Sequence, residues 1–152
     1  MYLIEINFNK KNTHINKRYL FQKKELLINF KDKKNIAFKY NDNFFCLIEG
    51  SINDNFDKKL SIDLIFNKII KLKKIEEQKI FLNSLSGAFN LFFYSFAKKN
   101  FLLVRDKDGF MPLFYKHDIK KGEFYFSPAP NLITNLHQKH KINKAFFMKY
   151  IM

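Results

Sequence analysis

Apolar and polar residues alternate along several short stretches in the first third of the chain, and this pattern predicts strands. Residues 2–8 alternate with the exception of Leu3, and polar clusters at 31–34 and 41–42 separate the stretches that follow. The strands predicted in this part of the chain are 2–8, 25–30, 35–40 and 43–52. The chain therefore begins as a β-rich segment.

The period then changes to that of a helix. Apolar residues recur at three- and four-residue spacing from Leu60 to Leu72, which predicts an amphipathic helix over 58–74. A second, short helix is predicted over 75–84. The order of strands followed by helices separates this chain from one that alternates the two.

After Gly87 the strand pattern resumes in two predicted hairpins, with turns at 98–99 and 120–122. The four strands are predicted at 87–97, 100–105, 112–117 and 123–127, and two helices follow at 131–136 and 144–151. Residues 91–94 are all apolar and do not alternate, which predicts a strand covered on both faces. Strands, helices and strands around a two-faced layer predict stacked sheets flanked by helices.

The composition restricts the class of protein. A chain of 152 residues suits one domain, and a hydrophobic fraction of 47% excludes a disordered one. The single cysteine cannot form an internal disulfide, so we expect a cytoplasmic location. The longest apolar run, 91–97, is far shorter than the roughly 18 residues of a membrane span, and no membrane partner is expected.

The formal charge of +14 raises the alternative of a basic nucleic-acid-binding module. Only Arg18 and Arg105 are arginines among the 28 basic residues, although arginine is the preferred reader of phosphates and base edges. The lysines are scattered among many Asn, Ile and Phe, as expected from an AT-rich genome. A solvated basic surface is therefore the favoured interpretation, and nucleic acid is not the expected partner.

Three motifs in the second half of the chain occur in a recognisable order. They are LSGAF at 85–89, RDKDGFMPLFY at 105–115 and YFS at 125–127. Their order and spacing resemble the class II glutamine amidotransferase domain that opens asparagine synthetases and their relatives. The resemblance is clear over 83–152 and thin before that. It implies that 1–152 is an amidotransferase-like domain, the N-terminal part of a longer asparagine-synthetase-like protein.

The resemblance implies an α+β fold of the N-terminal-nucleophile hydrolase type. That fold is a four-layer αββα sandwich, with two antiparallel sheets between helical layers. Five motif residues are expected to be structural, making turns and restarting strands, rather than catalytic. They are Gly87, Arg105, Asp106, Gly109 and Pro112.

The nucleophile of this family is absent. Glutamine hydrolysis there needs a cysteine at the mature N-terminus, whereas Tyr2 stands at that position here. A phenol with an ordinary pKa of roughly 10 is a poor nucleophile. Cys46 lies in an apolar run and is expected to be a buried small hydrophobe. No catalytic residue is therefore expected.

The substrate pocket also departs from the family pattern. Glu49, Gly50 and Ser51 stand where the family has Asn-Gly-Glu, so a carboxylate replaces the amide of the oxyanion hole. Ser61 stands where an aspartate would hold the glutamine amine. No Arg-x-Gly-Pro-Asp segment occurs between residues 24 and 43. Four elements of one mechanism are missing together, which predicts a degenerate pocket.

No cofactor is expected in this segment. His137 and His140 have no acidic or cysteine partner nearby, so no metal site is predicted, and no phosphate-binding loop occurs. ATP and Mg²⁺ are implied only for a downstream synthetase domain. That domain, in cis or in trans, is the expected partner, and the resemblance also admits a homodimer.

The favoured function is therefore a catalytically degenerate amidotransferase-like domain that scaffolds or docks an ATP-dependent amide-forming enzyme. One alternative is an active glutaminase domain of an asparagine synthetase whose start has been set wrongly. The other is the nucleic-acid-binding module.

Overall fold

The computed structural model describes residues 2–7, 19–23, 25–30, 35–54, 56 and 58–134. Within these ranges the chain forms nine strands and three helices. The strands are β1 (Tyr2–Asn7), β2 (Tyr19–Lys23), β3 (Leu26–Phe30), β4 (Ile36–Tyr40), β5 (Phe44–Gly50), β6 (Phe89–Ser95), β7 (Asn100–Arg105), β8 (Phe114–Asp118) and β9 (Glu123–Ser127). The helices are α1 (Ile62–Lys71), α2 (Ile75–Asn83) and α3 (Pro130–Thr134).

The described strands form two antiparallel sheets. The five-stranded sheet has the order β2-β3-β1-β9-β8, and the four-stranded sheet has the order β4-β5-β6-β7. The first and last of the described strands thus meet, because β1 pairs with β9 through Ile4 opposite Phe126. This pairing brings the start of the chain next to the YFS motif.

The two sheets pack face to face around an aromatic core. Inward side chains from β1, β3 and β9 meet inward side chains from β5 and β6, with Phe92 packed against Phe45 and Phe126. Every residue of β6 is buried, as the lack of alternation over 91–94 predicted. The core therefore sits between the sheets, with β6 at its centre.

A second core lies on the outer face of the four-stranded sheet, which α1 and α2 cover. Ile65, Phe66 and Ile69 of α1 pack there against Cys46 and Phe93 of the sheet. The helix begins at Ile62, later than the predicted 58, because Ser61 is its N-cap and accepts a hydrogen bond from the Leu64 N–H at 3.3 Å. The chain before it remains extended and forms a bridge between Lys59 and Asn53.

These layers make an α+β sandwich. The short α3 packs against β8 and β9 of the five-stranded sheet, with Ile133 buried. The predicted helix at 144–151, and with it His137 and His140, lies outside the described residues. Strand β2 was not predicted; it is an edge strand with an irregular register against β3. No helix in the described part of the chain is long and apolar enough to cross a membrane.

Candidate functional site

The first residue of β1 lies at one end of the space between the sheets. The side chain of Tyr2 is 1% exposed, and its backbone pairs with Phe30 of β3. Its carbonyl oxygen accepts a hydrogen bond from Ser127 Oγ at 2.8 Å, and Ser127 Oγ in turn accepts one from the Ala129 N–H at 3.0 Å. The serine that ends the YFS motif therefore fixes the position of Tyr2.

The phenol of Tyr2 meets two polar side chains of the opposite sheet. Glu49 and Asn90 are direct cross-strand neighbours on β5 and β6; Glu49 hydrogen-bonds with the Tyr2 hydroxyl, and Asn90 lies close to it. Burial, the charge of Glu49 and the hydrogen bond with Glu49 raise the pKa of Tyr2 well above its ordinary value, against the opposing effect of Asn90. The hydroxyl is therefore neutral and bonded to Glu49.

Asn90 connects this cluster to the RDKDGF turn. Its side-chain Nδ2 donates to Glu49 Oε2 and to the Pro112 carbonyl oxygen, both at 3.0 Å. Two acceptors around one nitrogen fix the orientation of the amide. Asn90 is 1% exposed, and its Oδ1 has no hydrogen-bond partner among the described residues. Sequence reasoning missed Asn90, although a polar residue inside the apolar strand β6 was a visible signal.

The turn that follows β7 is organised by Asp106. Its carboxylate accepts hydrogen bonds from the backbone N–H groups of Phe110 at 2.6 Å and Met111 at 3.0 Å. Burial alone would raise its pKa, but these backbone bonds and the charge of Arg105 outweigh burial and hold the pKa of Asp106 below its ordinary value. Arg105 Nη2 donates to the Gly109 carbonyl oxygen at 2.6 Å. These contacts close the turn, in which Gly109 has a positive φ of 70°.

Gly50 allows a close approach between two strand ends. It ends β5 with a φ of 92°, and a Cβ there would collide with the Ala88 carbonyl oxygen. The Ser51 N–H donates to that same oxygen at 2.9 Å, and Gly87 lies against the Ser51 carbonyl oxygen. The two short motifs at 49–51 and 85–89 are thus in direct backbone contact.

Three of the four predicted pocket residues line one cavity. Gly50, Ser51 and Ser61 border a cavity of about 330 Å³ beside the N-terminus of α1, together with Lys59. Glu49 does not line it, because its side chain pairs with Asn90 on the inner face of the sheet. The described residues around this cavity include no carboxylate. The predicted residues thus form two neighbouring groups on opposite faces of β5.

Cys46 lies away from Tyr2, in the outer core beneath α1. It is fully buried, and burial raises the pKa of its thiol to about 12. Neighbouring strand residues point to opposite faces, so Leu47 faces the inner core and Cys46 the outer one. Cys46 is therefore an inert core residue, as its apolar neighbours predicted.

A comparison with known protein families identifies the family of this chain. A family model described as a glutamine amidotransferase domain matches residues 70–152, more than half of the chain. The chain belongs to this glutamine amidotransferase family. No curated protein and no solved structure matches it.

The family match covers one half of the site. The matched span of this amidotransferase domain includes Asn90 and the turn-making residues Gly87, Arg105, Asp106, Gly109 and Pro112. Tyr2, Glu49, Gly50, Ser51 and Ser61 precede it. Among the described residues, no group of three or more His, Cys, Asp or Glu side chains could hold a metal ion.

Proposed function

We propose that this chain is a catalytically degenerate class II amidotransferase domain that scaffolds or docks the synthetase domain of an asparagine-synthetase-like protein. The observation that carries this proposal is the side chain of Tyr2, which is buried between the sheets with its hydroxyl bonded to Glu49 and close to Asn90. This phenol stands at the position of the family's nucleophile, so no thiol is available there to attack the amide of glutamine.

The neighbours of Tyr2 also oppose the chemistry. Attack on an amide builds negative charge on its oxygen, which active sites stabilise with hydrogen-bond donors. Here Glu49 contributes a carboxylate at the position of the family's oxyanion-hole amide, and the Nδ2 donor of Asn90 is occupied by Glu49 and Pro112. A developing oxyanion would be repelled instead of bound.

The cavity beside α1 supports the same proposal. A glutamine amine carries a positive charge and needs an acidic partner, but Ser51 and Ser61 offer hydroxyl groups and Lys59 adds a positive charge. The side-chain hydroxyl of Ser61 already accepts the Leu64 N–H as a helix cap. This cavity is a poor subsite for the substrate amine.

The fold around this site, by contrast, is stabilised by contacts that have no role in catalysis. The Asp106 turn, the Gly50 approach and the Ser127 contact with Tyr2 each satisfy backbone groups. Such contacts support a scaffold of the N-terminal-nucleophile αββα type that survives loss of catalysis. ATP and Mg²⁺ would act in the synthetase domain, in the cytoplasm, with this domain attached in cis or in trans.

An electrophilic glutamine analogue tests the proposal. We expect mass spectrometry to find no adduct on the folded protein after incubation, whereas the urea-unfolded chain is labelled at Cys46 and shows that the reagent is competent. A Cys46→Ala variant is the control for labelling of that thiol. An adduct on the folded protein that glutamine protects would overturn the proposal.

The downstream reading frame tests the parent enzyme separately. A Ser-Gly-Gly-x-Asp-Ser-type pyrophosphatase loop there, or in a neighbouring gene whose product co-purifies with this chain, would support the scaffold role. Its absence from both would contradict that role without restoring glutaminase activity.

A further inference from the structure

A second cavity lies on the far side of the molecule from Tyr2. Its volume is about 390 Å³, and it opens between the α1–α2 junction and the β6–β7 hairpin. Helix α1 packs over β4 and β5, whereas the residues of β7, at the edge of the sheet, are only partly buried or exposed. The size falls in the range of about 300–1,000 Å³ that small-molecule sites occupy.

The floor of this cavity is apolar. Phe44 and Phe93 stack with their ring centroids 5.5 Å apart, and Ile69 of α1 and Leu102 of β7 complete the lining there. These side chains belong to the outer core or pack against it. Phe93 and Ile69 are buried, so the apolar surface open to an alkyl chain is that of half-buried Phe44 and Leu102 and of exposed Ile75.

The wall between the helices is held in place by Gln78. Its side-chain Nε2 donates to the Leu72 carbonyl oxygen at 2.8 Å and to the Ile69 carbonyl oxygen at 3.3 Å. These bonds satisfy carbonyl groups at the end of α1 and fix α2 against it. The cavity is thus preformed, which lowers the cost of ordering it around a ligand.

The rim is cationic. Lys73 and Lys98 both line the cavity and are exposed, and neither forms an ion pair with another described residue. No Asp or Glu is among the described residues that line it. An apolar floor with a positive rim is complementary to a molecule that combines an alkyl body with one negative end.

We propose that this cavity binds a small amphipathic anion, a linear alkyl carboxylate of medium length. The alkyl chain lies on Phe44, Leu102 and Ile75, and the carboxylate reaches Lys73 or Lys98. This ligand class is independent of the proposed loss of glutaminase activity, since the cavity shares no residue with the Tyr2 cluster.

Isothermal titration calorimetry with straight-chain carboxylates tests the proposal. We expect the affinity to rise by about fourfold for each added methylene from hexanoate to decanoate. Decylamine, which has the same chain and the opposite charge, is expected to bind at least about tenfold more weakly than decanoate. Equal affinity for decanoate and decylamine would overturn the proposal, as would no binding of decanoate at millimolar concentration.

A pair of charge-matched variants locates the binding. Lys73→Gln with Lys98→Gln is expected to weaken decanoate binding by about tenfold. Lys68→Gln with Lys107→Gln removes the same charge from exposed positions outside the cavity and is expected to leave the affinity unchanged. Equal losses in both double variants would mean that the carboxylate senses only the net charge of the protein, and the site would be wrong.

Discussion

The hydroxyl of Tyr2 and the carboxylate of Glu49 hydrogen-bond across the space between the two sheets. Tyr2 belongs to β1, the central strand of the five-stranded sheet, and Glu49 lies near the end of β5 in the four-stranded sheet. Under the proposed class II assignment, the nucleophile would stand at the position of Tyr2, so this contact occupies its place. The Tyr2–Glu49 contact therefore stabilises the fold with the same residue that replaces the nucleophile in the proposed loss of catalysis.

The Tyr2–Glu49 contact should be measurable as a coupling energy. Tyr2→Phe removes the hydroxyl and is expected to lower the free energy of unfolding by about 1–3 kcal/mol, because Glu49 loses a donor. In a Glu49→Ala background the same change should cost clearly less, since the partner is already absent. Urea denaturation of the four proteins measures this, and strictly additive effects would rule out the contact.

Gly50 should not tolerate a side chain. Gly50→Ala is expected to lower the free energy of unfolding by about 2 kcal/mol or more, because the φ of 92° is unfavourable for alanine and the new Cβ meets the Ala88 carbonyl oxygen. Gly122→Ala is the matched control, with a φ of 64° in the β8–β9 turn. Thermal denaturation should show a smaller loss for the control, and a reversed order would contradict the close approach.

The charge of the Asp106 carboxylate should stabilise the turn at neutral pH and cease to do so in acid. Asp106→Asn is expected to cost about 1–3 kcal/mol at neutral pH, since a charged acceptor of two backbone bonds is lost. The folded-state pKa of Asp106 is lowered, so its contribution is present above its ordinary value of 3.8 and is lost as the pH falls through the folded pKa. The stability difference between wild type and variant should therefore shrink in acid. A difference that stays constant down to acid unfolding would exclude this role.

The buried tyrosine hydroxyls and the buried thiol of Cys46 should lower the free energy of unfolding at alkaline pH. Burial, the first cause in each case, raises the pKa of Tyr2, Tyr94 and Tyr125 above 10.0 and that of Cys46 from 9.0 to about 12. The unfolded chain then releases these protons at lower pH than the folded one, so the stability they contribute is full below about pH 9 and falls as the pH rises. Each group costs about 1.4 kcal/mol per pH unit between its two pKa values.

Urea denaturation between about pH 8 and about pH 11 measures this loss. In a Cys46→Ala variant the decline should begin nearer pH 10 than pH 9, because only the tyrosines remain. A free energy of unfolding that stays flat over the whole range would show that these groups are not buried as described.

Local patterns predicted the parts of the fold that depend on near neighbours. The unbroken apolar run over 91–94 belongs to β6, whose residues are all buried, and the strands at 100–105 and 123–127 have the predicted bounds. The RDKDGF turn was also predictable, because Asp106, Gly109 and Arg105 contact each other within five residues. Short-range geometry is encoded locally and can be interpreted from spacing.

Contacts between distant segments were not predictable in the same way. Asn90 meets Glu49 across 41 residues and Pro112 across 22, and neither partner is visible from the sequence around it. Glu49 and Ser61 lie on opposite sides of the four-stranded sheet. Strand alternation predicts the face of Glu49, but only after the structure has shown that Cys46, on the same strand, faces outward. Edge strand β2 was missed because it depends on pairing with β3.

Glutamate release is the most direct test of the central claim, a glutamine amidotransferase domain without glutaminase activity. The purified chain is incubated with glutamine, and glutamate is measured against a protein-free control and against Tyr2→Phe and Cys46→Ala variants. We predict release at the protein-free rate in all three proteins. Release that rises in proportion to the wild-type protein and disappears in either variant would contradict the claim.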